Sequence, residues 1–139
     1  MSSRTKARKR AVDALYAADL RDELATELLR SSKDAMADRQ NQEPIFAFAE
    51  ELVTGVLANQ IEIDEKIASF AQNWSLDRMP AVDRAILRLA TFELLYQQGT
   101  PSEVVISEAV QLASELSTDD SANFVNGVLS AIVATQKPI

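Results

Sequence analysis

"AVDRAILRLATFELLY", Ala81 to Tyr96, decides the fold. Wound at the helical period, its apolar side chains cover most of the wheel and leave Arg84, Arg88 and Thr91 on one remaining strip. A helix so nearly apolar all round is expected at the centre of a bundle, touched by others on several sides. Pro80 suits its start, and "QGTP" (98–101) ends it, with Gly99 expected as a left-handed cap and Pro101 beyond. Working outward, Ile45, Phe48, Ala49, Leu52, Val53, Val56 and Leu57 recur at spacings of three and four behind Pro44, which predicts one buried face. Ile61 to Ala71 reads as a short helix with Ile63, Ile67 and Phe70 inward, and "NWSLDRMP" (73–80) as a connection. On the other side, Ile106, Ala109, Val110, Ala113 and Leu116 mark a helix. "STDD" (117–120) then offers Ser117 or Thr118 as N-cap, with Asp119 and Asp120 at the positive end of the next helix dipole. That last helix buries Val125, Val128, Leu129 and Ile132. Leu20 to Gln42 is more polar, with a weak helix over Glu23 to Leu29 and then a loop-like "SSKDAMADRQNQ" (31–42). With the opening segment this makes an all-α bundle of about seven helices, without strand alternation or repeats.

Composition agrees and narrows the function. The chain has 139 residues, 47% hydrophobic, with only three glycines and four prolines, which suits one domain of packed helices. It contains no cysteine and no histidine. Disulfides, thiolate nucleophiles, zinc–sulfur sites and the commonest general base are absent together. No glycine-rich phosphate cradle is present either. An enzyme is therefore the weakest reading, and neither a cofactor nor a metal is expected. No run is long enough to span a bilayer. Asp13, Asp19, Arg21 and Asp22 interrupt the opening, which argues against a secretory signal, and cytoplasmic residence is expected.

The charge is unevenly placed. Arg4, Lys6, Arg8, Lys9 and Arg10 precede every acidic residue, so this +5 tip sits on a chain of net charge −7 whose remainder carries −12. Such a body repels polyanions, and nucleic acid would have to be gripped locally. In "RTKARKRAVDALYAADL" (4–20), Val12, Leu15 and Tyr16 form the inward stripe. Arg4 and Arg8 continue that stripe, Lys9 stands beside Tyr16, and Lys6 and Arg10 lie opposite. Burying any face of this start would strand a charge, so the tip is expected to overhang the body or stay mobile. It grips RNA phosphates, or it is a solvated tail. If all five charges meet a single strand, the log–log salt slope is about −3.5.

"DDSANFVNGVLSAI" (119–132) places Phe124 at the margin of its buried stripe, with Gly127 and Ala131 forming a low strip beside the ring. A mid-helix glycine costs about 1 kcal/mol against alanine, so a close approach is expected there, by a neighbouring helix or by an unpaired base. Asn123 and Asn126 flank the ring as hydrogen-bonding groups. Asp83, in a first helical turn, points among Leu87, Ala90 and Leu94; either a partner covers that strip, or it is an ordinary first-turn acid favoured by the helix dipole. Glu93 points among Val82, Ile86 and Leu89 and needs an internal partner.

"RKRAVDALY", "AVDRAILRLATFELLY", "VVISEAVQLA" and "DDSANFVNGVL" together resemble the transcription antitermination factors of the NusB family, in order, near their spacing and over nearly the whole chain. The resemblance implies two small helical subdomains, here an N-terminal half over 1–77 and a C-terminal half over 78–139. It implies binding of boxA RNA in ribosomal RNA leader transcripts together with ribosomal protein S10 (NusE). RNA polymerase and other Nus factors would be joined through that complex. It carries Arg4, Lys6, Arg8, Lys9, Arg10, Asp120, Asn123 and Phe124 over as RNA contacts, and Tyr16 and Asp83 as S10-facing residues. A homodimer is a further expectation, since some relatives self-associate. The rival is a helical protein-interaction adaptor without direct RNA contact.

Overall fold

The computed structural model describes residues 2–72 and 74–136. Seven helices account for most of them: α1 (Ser3–Arg21), α2 (Ala25–Ala35), α3 (Glu43–Ala58), α4 (Gln60–Phe70), α5 (Ala81–Tyr96), α6 (Ser102–Leu116) and α7 (Asp119–Ala134). No strand occurs among the described residues, and none of the helices there is long and apolar enough to cross a membrane.

The apolar wheel of α5 does what it predicts. The helix packs against α1, α3, α4, α6 and α7, and Ile86, Leu87 and Leu89 on different sides of it are all buried. Its polar strip is consumed by neighbours. Arg88 donates to both carboxylate oxygens of Asp64 on α4, at 2.8 and 3.0 Å, and to Asp19 on α1 at 3.2 Å. Arg84 donates to Asp19 at 3.0 Å and to the Leu76 carbonyl at 2.7 Å. Thr91 is wholly buried. The buried side chains of all seven helices form one continuous core.

Four local expectations change. Gly99 adopts no left-handed conformation; α5 ends on an extended Gln97, and the left-handed residues are Asp22 (φ 54°) and Asn41 (φ 63°). The weak helix after Glu23 starts at Ala25 and runs on to Ala35, because Ala25 and Leu29 are buried and Met36 packs on the core beyond them. On α3, Leu57 is exposed while Phe46 is buried, since α1, α2 and α5 grip that helix from different sides. On α6 the inner face is Val105, Ala109, Leu112 and Ala113, one step round from the expected stripe, and Val110 is half-buried.

Gly55 lets α3 and α5 meet. A Cβ at that position would overlap the ring of Phe92. The Phe92 ring in turn stacks on Tyr96 at 5.7 Å between centroids.

Candidate nucleic-acid and partner interface

The basic tip is helical from Ser3 onward. Ser2 caps it, its Oγ accepting from the Thr5 amide at 3.0 Å. Ala7, Ala11 and Val12 are fully buried, so the start of α1 is seated on the body rather than overhanging it. The five basic residues separate accordingly. Arg4, Lys6 and Lys9 are exposed and Arg10 is half-buried. The Arg4 guanidinium lies 4.1 Å over the Phe48 ring, and that of Arg10 lies 5.8 Å from the Phe46 ring. These rings orient the two cations without neutralising them.

Arg8 departs from its expected role. It is 3% exposed. Its Nε and Nη2 donate to the two carboxylate oxygens of Glu93, both at 2.9 Å, and its Nη1 donates to Glu108 at 2.9 Å. Glu93, 1% exposed, thus has the internal partner its wheel position demands. Thr5 Oγ1 donates to the same Glu108 oxygen. Burial pulls the Arg8 guanidinium down, but its hydrogen bonds and charge pairing with Glu93 and Glu108 outweigh that and raise it above its ordinary value. A cation so enclosed cannot meet a phosphate. As placed in this structure Arg8 faces away from any phosphate, and it bolts the basic turn to α5 and α6.

A second constellation forms where the end of the 71–80 connection meets the starts of α5 and α7. Thr118 caps α7, accepting from the Ser121 amide at 3.0 Å. Phe124 is half-buried against the core, and its ring meets that of Trp74 at 6.3 Å with a 47° tilt. Asp120 and Asn123 are exposed in the first turns of the helix. Asp83 is 2% exposed and accepts from Ser121 Oγ at 2.8 Å through one carboxylate oxygen. It is therefore no surface acid. Trp74, Asp83, Asp120, Ser121 and Phe124 line one cavity of 330 Å³. Asn126 and Gly127 are exposed, and a Cβ on Gly127 would meet nothing. The close approach expected at that glycine does not occur among the described residues.

Tyr16 is 37% exposed on α1 and does not line that cavity. Trp74 is the residue that sequence reasoning passed over: a single large aromatic side chain in a polar connection was its signal. No group of three or more metal-ligating side chains gathers among the described residues.

The family model described as "NusB family" matches residues 5–134. The chain is 51% identical over 136 residues to the transcription antitermination protein NusB of Clavibacter michiganensis subsp. michiganensis, covering 98% of this chain and 99% of that protein. NusB of T. maritima superposes with a TM-score of 0.86 at 34% identity, over 97% of this chain and 93% of that one. A chain from the crystal structure of antitermination factors NusB and NusE in complex with dsRNA superposes with a TM-score of 0.86 at 31% identity. That match covers 97% of this chain and 98% of the other.

Proposed function

The chain belongs to the NusB family of transcription antitermination factors, and from that premise we propose that it binds boxA RNA of ribosomal RNA leader transcripts together with ribosomal protein S10 (NusE). By this reading it suppresses premature termination through assembly rather than catalysis, joining RNA polymerase and other Nus factors indirectly in the cytoplasm. The observation that carries the proposal is the anchored basic turn. Among the described residues four cations, Arg4, Lys6, Lys9 and Arg10, enter no ion pair, and they surround a helix start that Arg8 bolts to α5 and α6. A helix already ordered spares the cost of ordering a mobile tail on binding. The NusB–NusE–dsRNA complex among similar structures supports the pairing of RNA with S10.

In this arrangement the four cations attract phosphates, and the exposed edge of Phe124 with Asn123 meets an unpaired base. Asp120 repels phosphate but accepts from a base amine, so it favours base over backbone at that point. Tyr16 belongs to the S10 side. Neither ligand alone is gripped strongly, and each strengthens the other through a shared surface. Titration of a boxA-like RNA against a scrambled one, with and without S10, tests this. The boxA-like RNA is expected to bind more tightly, and more tightly again with S10. Indifference to both RNA sequence and S10 would leave only the adaptor reading.

A further inference from the structure

Glu108 on α6 is an acid set beside the basic turn, and two side chains of that turn close on it. Its Oε1 accepts from Arg8 Nη1 at 2.9 Å and from Thr5 Oγ1. The one hydroxyl proton of Thr5 is thereby used. The Ser2 hydroxyl therefore donates to Thr5 Oγ1 at 2.8 Å, while Ser2 Oγ accepts from the Thr5 amide. A single chain of hydrogen bonds thus runs from the α1 cap through Thr5, Glu108 and Arg8 to Glu93.

Thr5 and Arg8 stand one turn apart on the same face of α1. Fixing both fixes the rotation of the helix about its axis, and so the directions in which Arg4, Lys6 and Lys9 leave it. Arg8 has Glu93 as a second anchor, but among the described residues Glu108 is the one side chain outside α1 that Thr5 bonds. Glu108 stays 21% exposed and lines a cavity of 120 Å³ together with Thr5, Arg8 and Lys9. It is a surface acid among the cations.

We propose that Glu108 is a positioning residue for RNA binding: it holds the first turn of α1 so that the cations face the strand, and its removal weakens binding although a negative charge leaves the ligand's side. The inference rests on the RNA-binding reading above. Two effects of removing the acid oppose each other. Repulsion between one surface charge and a phosphate about 8 Å away changes affinity by less than about twofold at physiological salt. A hydrogen bond to a charged group biases a local equilibrium by about tenfold or more, and apparent affinity falls with the population that keeps the binding orientation. Orientation is the larger effect.

Glu108→Gln and Glu108→Ala separate the two. Both remove the charge, but glutamine keeps a carbonyl acceptor for Thr5 and Arg8 and alanine keeps none. Arg8 retains Glu93 in each. A boxA-like RNA is titrated into the full chain, and amide hydrogen exchange is followed over Lys6 to Arg10 in the free proteins. Glu108→Ala should bind about fivefold or more weakly and exchange faster over that turn. Glu108→Gln should bind within about twofold of the parent, or more tightly, with exchange near the parent's. Thr5→Val, which removes the hydroxyl and nearly keeps the shape, should move both readouts in the direction of Glu108→Ala, and serves if that variant fails to fold. Equal tightening in both Glu108 variants would overturn the proposal, since the acid would then act through its charge alone. So would parental exchange over the turn in Glu108→Ala. Faster exchange in Glu108→Ala, from a parent that binds no RNA, sinks the function proposed above and this role within it, while the anchoring of the turn stands.

Discussion

Arg8 and Glu93 show how a charge deep in an apolar bundle becomes a constraint on position. Each is nearly inaccessible, and each has the other as its bidentate partner across 85 residues of sequence. Removing one member strands the other, which typically costs 3–5 kcal/mol, whereas replacing both by apolar groups is often close to neutral. Arg8→Ala, which strands Glu93, should therefore lower unfolding free energy by about 3 kcal/mol, and Glu93→Leu, which leaves Arg8 its Glu108 partner, by somewhat less. Arg8→Met with Glu93→Leu should recover most of it, because Glu108 can turn toward water. Denaturant titration of the four proteins closes the cycle, and singles that cost less than about 1 kcal/mol would show that the pair is solvated. A milder dependence belongs to Tyr96, whose hydroxyl donates to Glu62. That hydrogen bond, then burial and the Glu62 charge, raise the phenol above its ordinary 10.0. Because the folded value is the higher one, this stabilisation is present below pH 10 and lost as pH rises through the folded value. It is small, since the side chain is more than one-third exposed. Tyr96→Phe should lower the denaturation midpoint slightly at neutral pH and flatten its alkaline fall, so that the two proteins converge at high pH.

Helices were legible where one face or all faces are apolar, and illegible where a polar sequence is recruited by tertiary contact. The wheel of Ala81 to Tyr96 announces a central element because no orientation could keep it wet. Ser31 to Ala35 announces nothing: its helix persists because Leu29 and Met36 on either side rest on the core. The wheel also gives directions without distances. It placed Arg8 on the inward stripe, and Glu93 among buried neighbours, but could not show that the two directions converge. The cavity at Asp83 was legible only as an oddly directed acid, since Trp74 reaches it from a connection without a period. Two glycines make the same point at the level of packing. Gly55 and Gly127 both sit inside helices, and sequence alone attached close approach to the second. In the structure a Cβ at Gly55 would strike Phe92, while one at Gly127 projects into open space. Gly55→Ala should therefore destabilise by about 1–3 kcal/mol through overpacking. Gly127→Ala should stabilise by up to about 1 kcal/mol through helix propensity. Thermal melts distinguish them, and a loss of stability at Gly127 would mean that a neighbour does press there. If Gly127→Ala instead melts higher yet binds RNA less well, the approaching surface is the ligand.

For the molecule as a whole, the sign of the net charge opposes the proposed ligand, so the local cations must act over a short range. At physiological ionic strength a field is screened within about 8 Å, which leaves the acidic remainder of the chain a weak influence on a strand lying along α1. The number of cations engaged is then countable from salt dependence, at about −0.7 per phosphate contact on a single strand. Five engaged charges give about −3.5, and the four that remain after Arg8 is withdrawn give about −2.8. Lys9→Gln should reduce the steepness by about 0.7 and weaken binding similarly for boxA-like and scrambled RNA, as loss of a backbone contact does. Arg8→Lys should behave oppositely. It keeps the charge but loses the bidentate fork on Glu93, so stability falls and the basic turn loosens while the slope stays near its parent value. Affinities measured at four or more salt concentrations would resolve a step of this size. A slope that falls with Arg8→Lys and not with Lys9→Gln would mean that the guanidinium leaves Glu93 to meet the strand, and that the bolt opens on binding.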